Sequence, residues 1–211
     1  MAKNNKKRIR SISELLVESI TGKLADDELA YVVQKLKACQ PGNDENLWAL
    51  IKTVGCAGAS QYRKLIESFL HYPSMPFAAC TALRVLQCWG YIEAYREEIK
   101  KFTIGVEWDR DQEVRSTALQ HAKYVLRQGR GFDLELLALL IYFFENPCGI
   151  VEEEATICEA ICYGFGKDMQ DILKNKKDLC IIEQAQALIR TQKIPLPIPL
   201  CRPNCYDEEY E

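Results

Sequence analysis

Histidine is almost missing from this chain. Of 211 residues only His71 and His121 carry an imidazole, and neither has a carboxylate and a nucleophile set out near it in sequence. General acid–base catalysis and histidine-ligated metal chemistry are therefore poorly provided for, and we expect no catalytic residue, no metal and no cofactor. Alternating apolar and polar runs are missing too, which excludes sheet-based folds and leaves an all-α protein. No apolar stretch reaches the about 20 residues that a membrane helix needs. The basic opening is interrupted by Ser11, Ser13 and Glu14 before any apolar signal core, so no secretory or targeting segment is expected and the compartment is read as cytoplasmic. Positive charge is absent from one long stretch: Gly131 to Gly166 holds no Lys or Arg, against seven acids, Asp133, Glu135, Glu145, Glu152, Glu153, Glu154 and Glu159.

What is present is core-forming material. Apolar residues make up 48% of the chain, enough for a continuous core at this length. Ten cysteines are scattered over helical faces without a disulfide-scaffold pattern, and we read them as reduced, buried thiols. Cys158 with Cys162 and Cys201 with Cys205 could offer four thiolates to zinc. Structural zinc sites space their ligands more closely within turns, so core and tail thiols are the better reading. Formal charge is 27 minus 30, but Lys3, Lys6, Lys7, Arg8 and Arg10 all precede residue 11, so residues 11–211 carry 22 minus 30, or −8. Duplex nucleic acid needs several cations on one surface and is not expected as a partner.

Taken in order, residues 1–10 read as a basic flexible arm. Ser11 and Glu14 form a capping-box signature for a helix to about Thr21, stopped at Gly22. Asp26 is expected to cap a second helix to about Cys39, with Leu29, Val32, Val33 and Leu36 on its buried face. Helices follow near 43–54 and 59–70, 76–89 and 91–104, 111–128 and 132–145, 150–163 and 167–174, with a closing one at 178–191. Pro73, Pro76, Pro147 and Gly149 punctuate the connections. In 132–145 only Glu135, Ala138, Tyr142 and Glu145 form a wettable line, so this helix should be central and buried. Three prolines alternating with apolar residues make 193–211 an extended Pro-rich tail with an acidic end.

An internal repeat turns this list of helices into a stack. Ala49-Leu50 returns as Ala82-Leu83, Tyr62-Arg63 as Tyr95-Arg96 and Ile66 as Ile99, each 33 residues on. The Ala-Leu pair appears again at Ala118-Leu119, 36 further on, and as Ala160-Ile161, 42 beyond that. Alanine allows close helix approach while leucine fills the neighbouring groove.

These units resemble the HEAT repeat, in particular its bacterial branch that includes phycobiliprotein lyases. The matching residues are Asp111, Val114, Arg115, Ala118 and Leu119 in DQEVRSTAL, with Ala49, Leu50, Gly55, Gly58 and Leu65 in the earlier unit. The similarity spans roughly residues 43–190 within a helical-repeat domain of 11–192. It implies a right-handed α-α superhelix, a solenoid of stacked antiparallel helix pairs, with Asp111 and Arg115 making contacts between units and Ala118 and Leu119 packed there. HEAT proteins are mostly binding scaffolds, and a fold alone confers no activity. The iron-binding HEAT hydroxylases use paired His-Glu steps, which this chain lacks. Trp108 and Asp109 superficially match the aromatic and acidic residues of HEAT-like DNA glycosylases, but the acidic body argues against a phosphate grip.

The cation-free stretch is the feature with a functional reading. Part of it supports a helix dipole at Glu152 to Glu154. In a curved HEAT array the remaining acids would face a partner from the concave side, and the partner-binding candidates are Asp133, Glu135, Tyr142, Glu145, Glu152 and Glu153. The expectation is a non-enzymatic scaffold binding another protein, basic in character. By analogy with small bacterial proteins of this kind it would be an immunity protein that neutralises a cationic toxin. A HEAT-like enzyme, bilin-lyase-like or glycosylase-like, and an assembly adaptor are the alternatives.

Overall fold

Helix starts in this chain are written locally. In the computed structural model, which describes residues 10–40, 46–128, 131–147, 153–167 and 179–192, Ser11 Oγ accepts from the Glu14 amide at 3.2 Å and the Ser11 amide donates to the Glu14 carboxylate at 2.7 Å. That reciprocal cap opens α1 (Ile12–Ile20), and the chain leaves it through Gly22 at φ 69°. The cap of α2 (Asp26–Ala38) falls one residue earlier than the sequence suggests: Ala25 is extended and donates its amide to Glu28 at 3.2 Å. Asp26, Asp27 and Glu28 thereby occupy the first turn, where the helix dipole favours them. The arm of residues 1–9, most of the helix expected over 167–174 and the tail of 193–211 lie outside the described residues.

The repeat in the sequence has a counterpart in local structure. α3 (Leu47–Cys56) is followed by a 3-10 turn at Ser60–Tyr62 and a short α4 (Arg63–Glu67). α5 (Pro76–Cys88) is followed by a 3-10 turn at Ile92–Tyr95 and α6 (Arg96–Ile104). Tyr62 and Tyr95 are the N-cap positions and Arg63 and Arg96 the first helical residues, so each second helix begins at the repeated Tyr-Arg step rather than as the single long helix expected. Ala82, Leu83, Ile66 and Ile99 are all fully buried, and Ala49 and Leu50 nearly so.

Two compact units divide at residue 89: 1–89 and 90–211. In the first, α3 packs against α1, α2 and α5. Trp48 meets Phe77 and Gly55 lies against Val85, so α3 and α5 run side by side in the same direction. A Cβ on Gly55 would stand 2.4 Å from Val85 Cγ2, and Trp89 Nε1 donates to the Gly55 carbonyl at 3.2 Å; glycine is what permits this approach.

The second unit continues with α7 (Glu113–Val125), α8 (Leu134–Glu145), α9 (Glu153–Gly164) and α10 (Leu179–Gln192). α7 lies between α6 and α9, and α8 packs on α9, α10 and α6. Pairings of Arg115 with Glu153, Lys123 with Glu159 and Tyr124 with Tyr163 make α7 and α9 parallel neighbours. As expected, α8 is buried along most of its length, including Ala138, which joins the core rather than the wettable line. One departure is a pair of two-residue strands, β1 (Arg127–Gln128) and β2 (Gly131–Phe132), antiparallel with Arg127 opposite Phe132. Strands this short carry no alternation for a sequence pattern to reveal.

Candidate partner-binding surface

Cations from the preceding repeat answer the missing positive charge of 131–166. Asp133 caps α8, accepting from the Leu136 amide at 3.1 Å, and it is only 6% exposed. Arg96 Nη1 and Lys100 Nζ each approach its carboxylate at 3.4 Å. Arg96 also donates to the carbonyls of Val125 and Arg127, closing the end of α7. Lys100 donates to Glu135 at 2.8 Å and to Glu97 at 2.9 Å. Partial burial alone would lower the Lys100 pKa, but the hydrogen bonds it donates to Glu135 and Glu97 and the charge of Asp133 outweigh it and hold the ammonium above the ordinary lysine range.

A second set is built around Arg115 on α7. Its guanidinium lies 4.3 Å from the Phe143 ring centroid, donates through Nε to the Thr103 carbonyl at 3.1 Å and through Nη1 to Gln112 Oε1 at 2.9 Å. Both Nη atoms donate to the Glu153 carboxylate. The two side chains are 4% and 0% exposed, so this is a fully internal ion pair joining α6, α7, α8 and α9. Arg115 therefore contacts elements other than its own. Its neighbouring aspartate is not Asp111, which is exposed, but Asp109, whose carboxylate accepts from the Val114 and Arg115 amides at 3.2 and 2.9 Å. The left-handed Gln112, at φ 56°, turns the chain so that Asp109 reaches over the start of α7. Ala118 and Leu119 are buried on that helix.

The structure thus separates the predicted surface into two groups. Asp133 and Glu153 face inward as counter-charges and do not belong to an outward stripe, because buried guanidinium and ammonium groups would otherwise stand unneutralised. Glu135, Tyr142 and Glu145 stay together on one side of α8, two turns and then three residues apart. Glu135 is 69% exposed and Glu145 is exposed, accepting from Gln186 of α10 at 2.8 Å; Tyr142 is half-buried. Glu97, 77% exposed, stands beside them, with Lys100, 12% exposed, held beneath. Glu152 lies outside the described residues.

Sequence reasoning passed over the ion-pairing roles of Arg96, Lys100 and Lys123 and the helix-capping role of Asp109. The cross-repeat pairs are separated by 37, 35, 38 and 36 residues for Arg96–Asp133, Lys100–Glu135, Arg115–Glu153 and Lys123–Glu159. Of these only the 36 of Lys123–Glu159 equals an offset of the apolar repeat, so that repeat does not by itself locate the charge pairs. His121 is buried, and its Nδ1–H donates to the Thr117 carbonyl at 2.8 Å. His71 is exposed. Cys80, Cys158 and Cys162 are buried as expected, but Cys56, Cys88 and Cys180 are exposed, and Cys201 and Cys205 lie outside the described residues. Trp108 packs edge-on against Phe102, and Asp109 is committed to its cap, so the superficial match to a glycosylase site has a structural explanation.

Among the described residues no group of three or more His, Cys, Asp or Glu is placed to hold a metal ion, and no helix is long and apolar enough to cross a membrane. No family model, curated protein or solved structure matches this chain.

Proposed function

We propose that this chain is a non-enzymatic, cytoplasmic protein-binding scaffold of HEAT-like helical repeats, and that it acts as an immunity protein, neutralising a cationic toxin through the outer side of α8. The observation that carries this reading is the line Glu135, Tyr142 and Glu145, extended by Glu97, with the compensating Lys100 drawn beneath the acids. Charge of one sign outward and its counter-charge inward gives a surface that attracts a basic protein, while the Tyr142 ring supplies contact area once the two have met. Asp133 and Glu153 support this surface from within by fixing α6, α7 and α9 around α8.

The test is association with the product of the reading frame adjacent to this gene, at two ionic strengths. Wild type should bind it with a rate that falls as salt rises. Glu135→Lys with Glu145→Lys should slow association by about tenfold or more at low salt, with helical content unchanged. Expression of the wild type, and not of the double variant, should protect cells from that product. Salt-independent association that the double variant leaves untouched would refute the reading.

A further inference from the structure

The first unit carries a surface of the opposite character. Trp48 on α3 and Phe77 on α5 are 36% and 40% exposed, and their rings meet edge-on at 6.1 Å. Large aromatic side chains left in water on a folded surface mark contact sites more often than isolated aliphatics do. The two rings head two exposed lines: Lys52 is one turn beyond Trp48 on α3, and Arg84 is two turns beyond Phe77 on α5. Because α3 and α5 run in the same direction with Gly55 against Val85, both lines continue away from the aromatic pair side by side.

No acid occurs on either helix. Residues 46–89 hold four cations, Lys52, Arg63, Lys64 and Arg84, against Glu67 alone, or +3; the rest of the chain is 23 minus 29, or −6. Glu67 is engaged by Arg63 at 2.7 Å and Lys64 at 3.0 Å, and among the described residues no ion pair involves Lys52 or Arg84. We propose that the α3/α5 face binds an acidic segment of a partner protein that carries large apolar side chains. The apolar groups sit on Trp48 and Phe77, and the carboxylates lie along Lys52 and Arg84. Charge complementarity commits the face to this occupant. Nucleic acid fits it less well: two cations neutralise too few phosphates, and rings inclined at 67° to each other offer no shared plane for stacked bases.

The experiment uses the full chain and a short fluorescein-labelled peptide in which Glu and Asp flank two Phe, read by anisotropy. Counterpart probes have Lys in place of the acids or Ser in place of Phe, and a single-stranded oligo-dT is the fourth. The acidic Phe peptide should bind and the other three should not. Trp48→Ala, Phe77→Ala and the pair Lys52→Glu with Arg84→Glu should each weaken it by about tenfold or more, while Trp48→Phe retains binding. All these side chains are exposed, so circular dichroism should match wild type. Glu135→Lys with Glu145→Lys should leave peptide binding unchanged, which separates this face from the α8 surface. No binding of the acidic peptide by the folded chain, or equal binding of the Lys peptide, would overturn the proposal. So would oligo-dT binding through the same residues, or a dimer of the chain that Trp48→Ala dissociates.

Discussion

Replacing Glu153 by Gln changes one charge inside the second unit and little else. Arg115 keeps its bonds to the Thr103 carbonyl and Gln112 and its place on the Phe143 ring, but loses the carboxylate that both Nη atoms use. Neither partner is accessible to water, at 4% and 0% exposure, so solvent cannot stand in for the missing charge. A buried cation stripped of its partner costs about 3–5 kcal/mol. Against a total stability of about 5–15 kcal/mol for a typical domain, that is a large part of what holds the unit folded, and it should lower the midpoint by about 10 °C. Arg115→Met should cost about as much, because it strands the carboxylate instead. The double change, Arg115→Met with Glu153→Met, should be far milder than the sum, since well-packed apolar side chains replace a pair that was costly to desolvate. Urea unfolding of the four proteins gives the cycle, and hydrogen exchange at the amides of α7 and α9 confines the readout to the second unit. A loss below about 1 kcal/mol for Glu153→Gln, or simple additivity in the cycle, would refute the internal role assigned to this pair.

Three further outcomes follow from the same geometry. Ala118 is fully buried on α7, so Ala118→Glu should cost several kcal/mol, about 3 or more, in urea unfolding; a loss below about 0.5 kcal/mol would mean that the helix face is misassigned. Gly55→Ala should destabilise, although alanine normally gains about 1 kcal/mol over glycine within a helix, because the new Cβ meets Val85; Val85→Ala should restore part of the loss, and a stabilised single variant would break the α3/α5 packing described here. Lys100 has its pKa raised on folding, so its contribution is complete below the unfolded-chain value of about 10.4 and fades only as pH rises through the higher folded value; nitrogen-15 NMR should find its ammonium still protonated above pH ~11, and Glu135→Gln should bring that titration down.

The sequence by itself determined the helices and much of their order. A capping box at Ser11 and Glu14, Gly22 as a stop and Pro76 at the first turn of α5 act over a few residues, so their consequences do not depend on the rest of the chain. The burial of α8 was equally legible, because eight large apolar residues in one helix cannot all face water. The 33-residue recurrence of Ala-Leu and Tyr-Arg located matching helices and even the residues at which α4 and α6 begin. What a carboxylate faces was not legible. Asp133 and Glu135 are two residues apart on the same segment, yet one is a buried cap between Arg96 and Lys100 and the other reaches into water. Asp109 and Asp111 differ in the same way, divided by the backbone turn at Gln112. Trp48 and Phe77 stay exposed while Trp108 packs on Phe102, although all are aromatics near helix ends. Periodicity is a property of neighbours along the chain, whereas desolvation and charge pairing depend on side chains some 35 to 38 residues away, and only tertiary packing brings those together.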